Sequence, residues 1–238
     1  MKVIFKTDLP YDLKAVWCIL HDEDPGGTLN RAKSMKVSQK DLACILSQKK
    51  FNKNDKLLNK IVKERYKQEK NIIKKSIYSY QCAWDIINDL FSQEIEKITK
   101  TGWKYKNYFV ILSPFNPGIS SRKGNKVIRS CFEDSFEQRR ITAHEILMAH
   151  IWNILDTNFK YPAKKEMQLW ALNEMTAAAI LSLEPSLNKI WGNNYENYLQ
   201  NYPILNKQKT KIKSIYLKKK NFLGYLKEGI NIIEKLSI

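Results

Sequence analysis

No apolar run in this 238-residue chain is long enough to cross a membrane. The longest, Ala15 to Leu20, is far short of the ~18 residues a span needs. The opening MKVIFKTDLPYD has no extended apolar stretch behind a basic head, and Asp8, Pro10 and Asp12 interrupt it, which argues against a signal peptide. Cysteine is scarce: Cys18, Cys44, Cys82 and Cys131 are scattered without CxxC spacing, so they offer neither a zinc knuckle nor a redox pair. In a chain without a secretory signal, reduced core thiols are the expectation. Eight Gly and seven Pro exclude collagen-like or low-complexity architecture. Gly26-Gly27 and Gly118 fit neither a P-loop nor a dinucleotide fingerprint, and Ser120-Ser121 has no GxSxG turn around it. These absences disfavour nucleotide-driven and serine-triad chemistry, and they predict a soluble, cytoplasmic protein with no membrane role.

Positive charge, by contrast, is abundant. Lys and Arg number 41 against 24 Asp and Glu, a formal charge of +17. Basic residues concentrate between Lys33 and Lys75 and again in KQKTKIKSIYLKKK, Lys207 to Lys220. A lysine-rich surface can neutralise phosphates and release counterions, so nucleic acid or another acidic partner is an open reading. It is not the favoured one. Arginine, whose planar guanidinium suits base-edge contacts, is rare among these cations. An apolar share of 43% with six Trp supports a folded core, and the length suits one large domain or two small ones.

Periodicity organises the chain as α+β and predominantly helical. KVIFKT reads as a strand, followed by a helix through Asp12–Leu20 and a loop at His21–Asn30. Ser38 is a plausible N-cap for a helix through Leu42, Ile45 and Leu46. Residues 55 to 98 contain no Gly or Pro and carry an apolar stripe, which predicts one long helix or two broken near Lys63–Lys70. Trp103–Phe115 and Lys126–Phe132 read as strands, Ser135–Phe159 and Ala163–Leu183 as helices, and Asn221–Leu236 as a closing amphipathic helix. This divides the chain into a basic, mainly helical region, 1–100, and a mixed region, 101–238.

Two of the three histidines fall in ITAHEILMAHIW. On a helix, His144 shares a face with Leu147, Met148, Ile151 and Leu155, and Glu145 lies beside Ile141, Ala149 and Trp152. In the following helix Glu174 sits among Met167, Trp170, Ala171, Ala177, Ala178 and Leu181. A carboxylate there is costly unless paired or metal-bound. Two consecutive helices, each with a polar residue on its apolar face, predict a His144–Glu174 contact, direct or through a metal ion.

This arrangement resembles the zincin metallopeptidases, specifically gluzincins, whose signature is HExxH with a downstream Asn-Glu; LWALNEMTAAA is similar to that second element. The resemblance covers roughly Tyr105 to Leu183. It implies zinc bound by His144 and Glu174, Glu145 as the general base polarising the attacking water, and peptide-bond hydrolysis. It also implies that Tyr108–Leu112 is an edge strand along which a peptide substrate adds. The second ligand of HExxH falls on Met148, a poor zinc ligand, and the nearest histidine, His150, lies about 120° round the helix. Three readings therefore stand: a zincin-like pseudoenzyme, an active site completed by His150 or another donor such as His21, and a core pair without kinship. A non-enzymatic basic module binding an acidic partner or nucleic acid is the alternative from a different class.

Overall fold

The computed structural model describes residues 1–21, 33, 36–115, 119–120, 124–160, 166–191 and 203–234. Val3 and Phe5, buried at alternate positions, build the opening strand β1 (Lys2–Lys6). Asp8 then accepts a hydrogen bond from the Tyr11 amide, and Pro10 sits in the first turn, together starting α1 (Leu9–Leu20). Ser38 caps α2 (Gln39–Leu46) as expected, its hydroxyl accepting from the Asp41 amide.

The Gly- and Pro-free stretch forms three helices, α3 (Lys56–Gln68), α4 (Lys70–Asp85) and α5 (Asn88–Thr99). The break at Glu69 falls within the expected zone; the one at Ile86–Ile87 does not. Its cause is tertiary. Asn88, held by the Trp84 indole N–H at 3.0 Å, accepts from the Val3 amide at 3.3 Å and donates to the Met1 carbonyl at 3.0 Å. Seven residues before Asn88, on α4, Gln81 accepts from the Phe5 amide and donates to the Val3 carbonyl. Two amide side chains thus satisfy the outer edge of β1, a backbone need that local sequence does not announce.

Strands β2 (Asn107–Ser113), β3 (Ile119–Ser120) and β4 (Lys126–Ser130) complete one sheet in the order β1-β2-β4-β3. β1, β2 and β4 are parallel, and β3 runs antiparallel to β4 at the rim. This corrects the edge-strand expectation. Tyr108–Leu112 lies in an interior strand paired on both sides, so no peptide can add to it. Its apolar character on both faces is the mark of a covered parallel strand. Val3, Phe5, Tyr108, Val110, Leu112 and Val127 face the main core, whereas Ile111 and Ile128 pack beneath Ala15 of α1 on the other side.

The long α6 (Ser135–Asn158) starts at Asp134, which accepts from the Phe136 and Glu137 amides, and it packs against α4 and the sheet. α7 (Glu166–Leu183) is buried around its whole circumference by α6, α8 (Pro185–Trp191), α9 (Pro203–Leu217) and α10 (Phe222–Ile233). The regions 1–100 and 101–238 share one sheet and one core, since β1 pairs with β2 and α4 and α5 pack with α6 and α7. α8 and α9 were not expected from periodicity. The basic segment Lys207–Lys220 is largely α9, with Ile212 and Tyr216 buried; the Tyr216 hydroxyl donates to Glu184, and Lys219 pairs with the same carboxylate at 3.3 Å. Part of that charge run is therefore structural. The loop expected at His21–Asn30 lies, beyond His21, outside the described residues.

All four cysteines are free, but only Cys131 is buried; Cys18, Cys44 and Cys82 are exposed, so the expected core thiols number one. Among the described residues, no helix is long and apolar enough to cross a membrane.

Candidate functional site

α6 and α7 bring together the two residues that the wheel arithmetic pairs. His144 Nε2 lies 3.0 Å from Glu174 Oε2, with both side chains almost wholly buried. The contact is a buried approach of imidazole to carboxylate at ion-pair distance. Asn173, beside Glu174, donates to the Met148 carbonyl at 3.0 Å and locks the helices in this register. A helical main chain leaves that carbonyl open to a second donor, and Asn173 exploits it from a fully buried position.

The electrostatics favour a proton on His144. Burial by itself disfavours the imidazolium. The Glu174 carboxylate in contact and Glu145 beyond it outweigh that and raise the pKa above the ordinary histidine value, with Arg129 opposing. Arg129 reaches the region from β4, buried and salt-bridged to Glu133. Sequence reading passed over Arg129 because a lone Arg in a short strand carries no periodic signal. Glu145 is buried beside the pair, as its place on the wheel requires.

His150 is not part of this group. α6 continues unbroken through it, so six residues turn its ring away from His144. Its Nε2 lies 3.1 Å from the Thr99 hydroxyl, and its ring packs at a tilt against Trp103 at 4.4 Å between centroids. Burial lowers its pKa to about 4. The structure does not bring His150 to the His144–Glu174 pair: it is a buried histidine with a hydroxyl partner. His21 is likewise occupied, with its ring nitrogens 2.9 and 3.1 Å from the Trp17 and Gln48 carbonyl oxygens and its ring stacked on Trp17.

Whether this donor set fits zinc is decided by counting ligands. His144 Nε2 and Glu174 Oε2 are close enough to share one ion. A catalytic zinc takes three protein ligands and keeps one position open. One helical turn beyond His144 stands the buried thioether of Met148, which is neutral and ill suited to zinc. Among the described residues, no cluster of three or more His, Cys, Asp or Glu side chains has metal-holding geometry. Two donors stand together, and among the described residues no third stands with them.

The chain matches no protein-family model, no curated protein and no solved structure.

Proposed function

We infer that this chain is a zincin-like protein of the gluzincin type that does not hydrolyse peptides, with a proton on His144 taking the place of the metal. The observation that carries the reading is the buried His144–Glu174 contact on consecutive helices, flanked by Glu145 and Asn173. In an active gluzincin those positions would hold and use the ion. Here the second-ligand position is Met148, so Glu145 has no metal-bound water to act on. The role left to such a fold is binding an extended polypeptide by strand addition. The rim strand β3 supports this. It is antiparallel, borders α6, and has no partner on its outer side among the described residues, whereas Gln81 and Asn88 cover the opposite rim.

Elemental analysis of protein purified without chelator, together with a casein cleavage assay, tests the reading. The expected result is no stoichiometric zinc and no cleavage in the wild type, and zinc uptake by the Met148→His variant, which supplies the third donor. One zinc per wild-type chain, lost on His144→Ala, would overturn the inactive reading. A folded Met148→His protein without zinc affinity would overturn the kinship.

A further inference from the structure

Away from this site, α3 carries an uncompensated row of charge. Lys56, Lys60, Lys63 and Lys67 recur at spacings of four, three and four, so they stand in one line along the helix, all exposed. At 1.5 Å per residue the row spans roughly 16 Å. Lys53 extends it at the start of the helix, and an open recess of about 450 Å³ is lined by Lys53, Asn54, Lys56, Asn59, Lys60 and Lys63.

The local acids do not neutralise this row. Asp55 is engaged by the Leu58 amide and the Gln48 side chain, and Glu69 is paired with Arg65 at 3.0 Å. Glu64, which borders the row four residues after Lys60, makes no ion pair with it. Like charges at these spacings repel, and Lys53 and Lys56 stand at the helix end where the macrodipole is positive. The fold therefore accumulates positive potential along one line and leaves it open to solvent.

We propose that this row is a docking surface for the phosphodiester backbone of a nucleic acid, bound without regard to sequence. An even line of point charges interleaved with amide donors suits regularly spaced phosphates, and the absence of arginine forks from the row gives no means of reading bases. A lipid surface fits less well. The apolar side of α3, Leu58 and Val62, is buried against α1 and α2, which leaves no apolar face for a bilayer. An acidic protein fits less well too, because the recess has no aromatic or aliphatic anchor. The surface is independent of the peptidase-like site.

The test is fluorescence anisotropy with a labelled 20-base-pair DNA duplex across a salt series, repeated with duplex RNA and a single strand. The triple variant Lys56→Gln/Lys60→Gln/Lys63→Gln is compared with Lys104→Gln/Lys106→Gln/Lys227→Gln, which loses equal charge elsewhere. Circular dichroism checks that both remain folded. At about 0.9 counterions released per phosphate neutralised, the first variant flattens the log–log salt slope by roughly 2–3 and weakens binding at least about tenfold at low salt. The control variant leaves binding within about threefold. Equal losses in both variants, or no wild-type binding at low salt, would overturn the proposal. So would equal or tighter wild-type binding to polyglutamate or to phosphatidylserine vesicles, which would reassign the row to an acidic protein or a membrane.

Discussion

Replacing Glu174 with glutamine tests whether the His144–Glu174 contact holds α6 and α7 together through charge. The substitution keeps the size of the side chain but removes the carboxylate 3.0 Å from His144 Nε2. Removing one partner of a buried pair costs about 3–5 kcal/mol, because the other is left in the interior uncompensated. For a chain of this length that corresponds to a fall in Tm of roughly 10 °C. The loss should depend on pH with a definite sign. The folded state raises the His144 pKa, so the pair contributes fully below the ordinary histidine value near 6.5, and that contribution fades as pH climbs through the higher folded value. Urea melts at pH 6 should show the largest gap between wild type and Glu174→Gln, and melts at pH 9 a smaller one. Replacing both partners, His144→Leu with Glu174→Met, should restore stability to within about 1 kcal/mol of wild type, since a well-packed apolar pair avoids desolvating two charges. A Glu174→Gln protein less than about 1 kcal/mol weaker at pH 6, with no change in the gap by pH 9, would refute the account.

Two further outcomes follow from buried titrating groups. Asp12 on α1 accepts hydrogen bonds from the Ser113 hydroxyl at 2.8 Å and the Tyr66 hydroxyl at 3.0 Å, and burial raises its pKa to about 6. Because the folded pKa is raised, wild-type stability should fall as pH rises from 4 to 6. Asp12→Asn should therefore be more stable than wild type by roughly 1–3 kcal/mol at pH 8 and equal to it near pH 4, read from urea melts. Burial likewise pushes the Cys131 thiol up to about 12. A thiol titration with a disulfide reagent should label Cys18, Cys44 and Cys82 rapidly in the native protein and Cys131 only on unfolding; rapid labelling of a fourth thiol would contradict its burial.

What the sequence disclosed was whatever repeats over a few residues. Ser38 announced α2, and Pro10 helped announce α1. The wheel positions of His144 and Glu174 were enough to pair them across two helices before any coordinates. The same arithmetic turned His150 away from His144, although the metal-ligand expectation set that turn aside. What stayed hidden depends on partners far along the chain. Nothing near Val110 says that Phe5 and Val127 flank it, so an interior strand passed for a rim. Nothing near Asn88 says that its amide serves the backbone of residues 1 and 3, so the helix break there had no local cue. Asp12 stands in the first turn of α1, and only the approach of Tyr66 and Ser113 makes it a buried junction. The lysines in and just after α9 read as a charge run because Glu184, which takes up Lys219, lies far back along the chain, between α7 and α8.

The pairing of β1 with β2 has a consequence for how the protein is made. Lys2 aligns with Asn107, so the first strand leaves the ribosome about a hundred residues before its partner exists. At roughly 5–20 residues per second, that is a wait on the order of 5–20 seconds. During it, Gln81 and Asn88 arrive first and can shield one side of β1. The side meant for β2 stays open to aggregation or to chaperones until translation reaches Ser113.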